Sequence, residues 1–286
     1  MKRNLHLLVI DPQNDFCDLP ERYLPGGATA ESPALPVAGA HADMLRLADL
    51  IERGIDGLGG ISVTLDSHHR IDVAHPAFWM DAASRPVQPF TRITAADLRE
   101  GRYQTRDARA RPRVLAYLDA LEAAGRYQLM VWPTHCEIGS WGHNVHEDVR
   151  AAYNRWEEST LGIVNKVAKG ANPWTEHYSA VQAEVPYDDD DSTQVNDAFI
   201  ATLADADQVY IAGEAGSHCV KATTEDLVAN WDPAHLARLV LVTDCMSAVA
   251  GFEGEQQRFI RAMQARGLQV ASSADVLAEL VHNGKR

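Results

Sequence analysis

Mostly apolar runs of five or six residues recur along the chain at 5–10 (LHLLVI), 61–65 (ISVTL), 127–132 (YQLMVW), 162–167 (GIVNKV), 208–213 (QVYIAG) and 239–243 (LVLVT). Runs of this length read as strands buried on both faces. Between and after them, apolar positions return every three to four residues at 40–53, 112–124, 146–157, 193–204, 220–230, 255–265 and 274–282. That period predicts helices with one face turned inward. Six strands alternating with helices imply an α/β fold: a doubly wound, mainly parallel sheet of about six strands with helices on both faces. Two stretches break the rhythm, 66–111 with its many Pro, Arg and His residues, and 169–192 with the acidic run Asp188–Asp191. Neither shows an apolar core pattern of its own. Both are expected to be loop insertions in one domain spanning 1–286, with the acidic run solvated.

Composition narrows the function classes. Hydrophobic residues make up 46% and charged residues 23%, as in ordinary soluble proteins. A net charge of -14 argues against nucleic-acid and anionic-membrane partners. No apolar run is long enough to span a bilayer, and the opening stretch 5–10 meets Asp11 too soon for a signal peptide. The four cysteines, Cys17, Cys136, Cys219 and Cys245, show neither CxxC spacing nor disulfide-rich density. Free thiols in a reducing cytoplasm are the expectation, one of them available as a nucleophile.

In open α/β sheets, ligands bind beyond the carboxyl ends of the strands. Asp11 follows the first predicted strand, Asp66 and His68 the second, His135 the third, Lys169 the fourth and Cys219 the fifth. Three of these make a nucleophilic set: a carboxylate to accept a thiol proton, an ammonium to support the anion, and a thiol at a helix start. Singly each has a plainer explanation. An Asp after a strand is as often a turn residue, a lone Cys more often packs as a small hydrophobe, and a lone Lys is usually solvated. Asp66, His68 and His135 suit a catalytic zinc, iron or manganese site with open positions. With 12 histidines in the chain, the DSHH spacing says little alone. His75 is open as a fourth ligand or a pocket residue, and His69 is expected to be exposed.

Five segments together resemble one family. LLVIDPQNDFC (7–17), LDSHH (65–69), WPTHCEIGSWG (132–142), KGANPWTEHYSA (169–180) and IAGEAGSHCV (211–220) are similar, in family order, to segments of the nicotinamidases, within the isochorismatase-like cysteine hydrolases. The resemblance implies hydrolysis of a small carboxamide, nicotinamide foremost, to the acid and ammonia through a Cys thioester. It implies a triad of Asp11, Lys169 and Cys219, one divalent transition metal on Asp66, His68 and His135, and an oxyanion hole from the amides of Ala215 and Cys219. It further implies a cis Glu214–Ala215 bond, and Phe16, Trp132, Tyr178 and His218 around the substrate ring. Lys166 competes with Lys169; Gly170 and Tyr178-Ser179-Ala180 fit the family segment better with Lys169. The chain departs from the family at Glu214-Ala215-Gly216-Ser217, where an apolar residue and then Ala, Thr, Asp are usual. A related amidase with another small amide is the alternative, then a non-catalytic binding protein on the same fold. A homo-oligomer is left open.

Overall fold

The computed structural model describes residues 2–26 and 31–286. The strands are β1 (Leu5–Ile10), β2 (Gly60–Asp66), β3 (Trp79–Asp81), β4 (Thr91–Ile93), β5 (Tyr103–Thr105), β6 (Leu129–Val131), β7 (Asn165–Lys169), β8 (Gln208–Gly213), β9 (Leu239–Val242) and β10 (Gln269–Ala271). The helices are α1 (Ala40–Gly54), α2 (Ala95–Glu100), α3 (Arg111–Ala124), α4 (Glu147–Thr160), α5 (Asp197–Ala204), α6 (Cys219–Ala229), α7 (Glu253–Ala265) and α8 (Ser273–Gly284).

Six strands form one sheet in the order β10-β9-β8-β1-β2-β7, every neighbouring pair parallel. The mostly apolar run of β1 fits its central place, because a strand covered on both faces is largely apolar; all six of its residues are buried, and the one polar side chain, His6, pairs with Ser62 Oγ (2.9 Å). Helices α1, α4 and α8 pack together, and α6 packs on β8 and α7. From β1 the chain builds outward through β2 to β7, then returns to place β8 on the other side of β1. The connection changes direction between β1 and β8, and a crevice opens there beyond their carboxyl ends. Gly213 ends β8 at φ 116, where a Cβ would lie 2.0 Å from the Ile10 carbonyl oxygen. Only glycine lets the two strand ends approach so closely.

The count of six strands stands, but its membership differs from the sequence expectation. The run 127–132 is no central strand: β6 pairs antiparallel with β4, from Thr91↔Val131 to Ile93↔Leu129. Periodicity identifies a strand without naming its partner, and the partner here lies inside the first insertion. The sixth place in the sheet goes to β10, whose exposed Gln269 and half-buried Val270 and Ala271 carry too little apolar signal to stand out. The 66–111 insertion also has the apolar core not expected of it. Val73, Phe78, Trp79, Val87, Ile93, Ala95 and Leu98 pack with Val114, Tyr117, Leu118 and Leu121 of α3 and with Leu129 and Val131 of β6. Its apolar residues are scattered between turns, so no single window shows the pattern.

Candidate active site

Asp11, directly after β1, sits at φ 42 and is fully buried. A left-handed non-glycine residue must be held in place. Thr64 of β2 does so from both sides: its hydroxyl accepts from the Asp11 amide (3.0 Å) and donates to Asp11 Oδ1 (2.5 Å). Gln13 locks the ends of β1 and β2 together, donating to the Asp66 carbonyl and accepting from the Asp66 amide, both at 2.7 Å. Lys169 closes β7, and its Nζ lies 2.9 Å from Asp11 Oδ2, 2.9 Å from Asp66 Oδ1 and 3.7 Å from Cys219 Sγ. It also donates to the His177 carbonyl (3.0 Å). Lys166, its rival in sequence, is half-exposed over the Tyr153 ring and reaches no residue of this group.

Cys219 is the first residue of α6, where unpaired amides favour negative charge. Its thiol meets Lys169 Nζ at 3.7 Å, and Asp11 bears on it through its charge. Burial pushes that thiol well above its ordinary value, and the negative charges of Asp11 and Asp66 add to this against the help of Lys169. Burial likewise raises Asp11 despite the lysine beside it, making it a stronger base than a free carboxylate. Burial opposes the charge on Lys169, yet Asp11, Asp66 and Cys219 around it more than offset this and keep it protonated. Lys169 is thus the cation at the centre of a cluster with Asp11, Asp66 and the Cys219 thiol. Among the described residues, neither the Ala215 nor the Cys219 amide donates to another group. The Glu214–Ala215 bond is cis, as the resemblance implied.

Asp66 turns its second oxygen to two imidazoles, with Oδ2 3.1 Å from His68 Nε2 and 3.3 Å from His135 Nε2. His135 arrives from a loop, not from the end of a central strand. The loop is held where Trp132 donates to the Ala74 carbonyl (2.7 Å) and the His68 amide donates to the Cys136 carbonyl (3.0 Å). His68, His75 and His135 bring ligand nitrogens within 4.8 Å of one another, a cluster that could hold a metal ion. The far nitrogens of all three are occupied from outside. His68 Nδ1 faces Asp72 Oδ2 (3.1 Å), His135 Nδ1 faces the Pro133 carbonyl (2.8 Å), and His75 Nδ1 faces the His69 carbonyl (3.2 Å). Outer partners of this kind orient metal-binding imidazoles. Burial disfavours charge on His68, but Asp66 and Asp72 draw its pKa well above the usual value, so the site calls for a cation there. Burial holds His75 neutral, its pKa near 2. His69 is exposed.

All four residues expected around the ring line one cavity with Cys219, Asp66, His68 and His135. Phe16 meets His135 edge-on (5.4 Å), Trp132 meets His218 edge-on (5.2 Å), and Trp132 Nε1 donates to the Tyr178 hydroxyl (3.0 Å). Burial holds His218 neutral, with a pKa near 4. Sequence reasoning missed Glu176 and His177, which line the same cavity from the segment between Lys169 and Tyr178. Burial pushes the Glu176 carboxyl up to about 8 and drops His177 to about 3, so both are uncharged at neutral pH. Their place between two singled-out residues was the available signal. Glu214, the departure from the family, is fully buried and absent from the cavity wall.

No family model and no curated protein matches the sequence. Solved structures do match over nearly the full length. A nicotinamidase/pyrazinamidase from Acinetobacter baumanii aligns with TM-score 0.60 at 21% identity, covering 96% of this chain and 98% of that one. The yeast nicotinamidase aligns with TM-score 0.61 at 19% identity, covering 93% and 99%. A pyrazinamidase from Pyrococcus horikoshii in complex with zinc aligns with TM-score 0.51 at 18% identity, covering 94% and 99%. At such identities the likeness establishes the architecture: this chain has the fold of these amidases.

Proposed function

We propose that the protein is a metal-containing cysteine amidohydrolase acting on a small, flat carboxamide, nicotinamide foremost. The observation that carries the reading is Lys169 Nζ, which lies 2.9 Å from Asp11 and 3.7 Å from the Cys219 thiol at the start of a helix. A buried surface-type charge would need one partner; here one ammonium joins a base to a nucleophile.

Asp11 takes the thiol proton as sulfur attacks the amide carbon. Lys169 stays protonated and stabilises the sulfur anion in transit. The free amides of Ala215 and Cys219 receive the oxyanion, each donor contributing about 3 kcal/mol. Asp11 then protonates the departing nitrogen, the C–N bond breaks, ammonia leaves and a thioester remains. Water cleaves the thioester to the acid and restores the thiol. Asp66, His68 and His135 would hold a divalent metal, with His75 beside them, and zinc suits this nitrogen and oxygen donor set. Such an ion would supply a Lewis-acidic point for a ring nitrogen and for water. Phe16, Trp132, Tyr178 and His218 enclose the ring; edge-to-face contacts contribute about 0.5–1.5 kcal/mol each. Four buried free cysteines suit a reducing cytoplasm, and no helix among the described residues is long and apolar enough to cross a membrane.

Ammonia release from a carboxamide panel tests the reading. Nicotinamide should exceed benzamide, which lacks the ring nitrogen, and picolinamide, whose nitrogen crowds the amide. Equal kcat/KM for nicotinamide and benzamide would remove the metal from substrate positioning. A larger amide is the second reading. The inner cavity, about 30 Å³, is much smaller than an outer cavity of about 520 Å³ that shares its Trp132, Tyr178 and His218 wall.

A further inference from the structure

Behind the nucleophile loop, two buried carboxyl groups meet with one cation, Arg46, beside them among the described residues. Glu214 directly precedes Ala215 and has no exposed surface. Asp43 of α1 is also buried. Ser247 ties them together: its hydroxyl donates to Asp43 Oδ2 (2.6 Å), and its amide donates to Glu214 Oε2 (3.2 Å). The Ser247 carbonyl in turn accepts from the Gly216 amide (2.8 Å), and the Glu214 amide donates to the Ile10 carbonyl (2.8 Å). The residues on both sides of Ala215 are thus anchored, one to β1 and one to Ser247.

Charge around the pair is unbalanced. Arg46 of α1 pairs with Asp43 through its other oxygen. The remaining groups facing Glu214 are Asp18 and the Cys17 thiol, from the segment after β1. Among the described residues no cation pairs with Glu214, and its Oε1 has no hydrogen-bond partner. Two adjacent buried anions with one counter-ion cost more than keeping one proton. Burial, and then the Asp43 charge, push the Glu214 carboxyl well above the usual range.

We propose that Glu214 is kept as a neutral carboxylic acid and is a positioning residue, holding the Ala215 amide where the oxyanion forms. The proposal rests on the amidase reading above. Neutrality matters for two reasons. A carboxylate one residue from Ala215 would oppose the negative charge that develops there. It would also repel Asp43 and part the two groups that Ser247 joins. A neutral acid avoids both, and so can occupy a place where the resembling family usually has an apolar residue.

The test is the pH dependence of nicotinamide hydrolysis in the metal-loaded protein, beside infrared spectra of carboxyl groups. Wild type should lose kcat about ten- to a hundredfold as Glu214 ionises on the alkaline side, with KM little changed. Glu214→Gln, neutral at every pH, should keep kcat within about threefold at neutral pH and lack that alkaline loss. Asp43→Asn removes the neighbouring charge and should move the loss toward neutral pH by about one unit. At neutral pH, the spectrum should contain a protonated-carboxyl stretch that Glu214→Gln removes. That band does not depend on turnover, so it tests neutrality even if nicotinamide is no substrate. An unchanged alkaline loss in Glu214→Gln would overturn the proposal, and so would an unchanged carboxyl band. Should Glu214→Gln not fold, an alkaline loss unmoved by Asp43→Asn would overturn it as well.

Discussion

The two halves of the site are built differently. Asp11, Lys169 and Cys219 stand at the ends of, or just after, β1, β7 and β8, whose places are set by a continuous parallel ladder. His75 and His135 come from outside that sheet, on segments shared between the second hydrophobic cluster (Val73, Phe78, Val131) and the main core (Ala74, Trp132, Cys136). The nucleophilic half therefore inherits the rigidity of the main core. The imidazole half is mixed: Asp66 and His68 follow β2 of the sheet, whereas His75 and His135 lean in part on a smaller core of short antiparallel strands and α3. In the proposed mechanism, the groups that must be held to a fraction of an ångström sit on the sheet.

Substitutions can break or sharpen this contrast. The largest effect is expected at the nucleophile: Cys219→Ala should lower kcat by at least about 10⁴-fold, with melting temperature and bound metal unchanged. Cys17→Ala, Cys136→Ala and Cys245→Ala should stay active. Near wild-type turnover in Cys219→Ala would end the proposed mechanism. His135→Ala should reduce metal from about one ion per chain toward none and cost roughly 10²-fold in activity. Cys219 should still react with a thiol reagent in that variant. Elemental analysis showing full metal occupancy would take His135 out of the site.

A smaller effect separates the cores themselves. Leu118→Ala in the second cluster should cost about 2–5 kcal/mol of local stability, seen as faster amide exchange across β4 and β6 and as weaker metal retention. Leu8→Ala in β1 should instead lower protection across the whole sheet. If both variants loosen the two regions equally, the cores form one cooperative unit and the contrast fails.

A last effect is pH-dependent and favours neither half. Burial depresses His6, on β1, and His146, capping α4, each to about 4. Their folded pKa values lie below the unfolded value near 6.5, so between about 4 and 6.5 the unfolded chain binds more protons. Their stabilising contribution is full above 6.5 and is lost as pH falls toward 4, on the order of 3 kcal/mol each. Urea midpoints across this window should fall with pH, and more shallowly in His6→Gln. A flat profile in wild type would show that these rings accept protons without unfolding.

Legibility differed by element. Long, mostly apolar runs such as 5–10 and 208–213 declared central strands because burial on both faces leaves few polar positions. β10, with one exposed and two half-buried residues, left no such trace. The site residues were readable as a set because strand ends in this fold share one edge. Glu176 and His177 were missed, since an uncharged Glu or His looks in sequence like a solvated one until burial is known.

The apolar periods, the motif order and the chemistry of an Asp, a Lys and a Cys were properties of the sequence alone, because they depend only on residue type and spacing. The tertiary structure decided which partner each segment found. It sent 127–132 to β4 instead of the central sheet, chose Lys169 over Lys166, and gathered His68, His75 and His135 from across the chain. It also turned Glu214 away from the cavity toward Asp43 and Ser247. Pairing, burial and charge balance depend on which distant residues meet, and local pattern does not encode that.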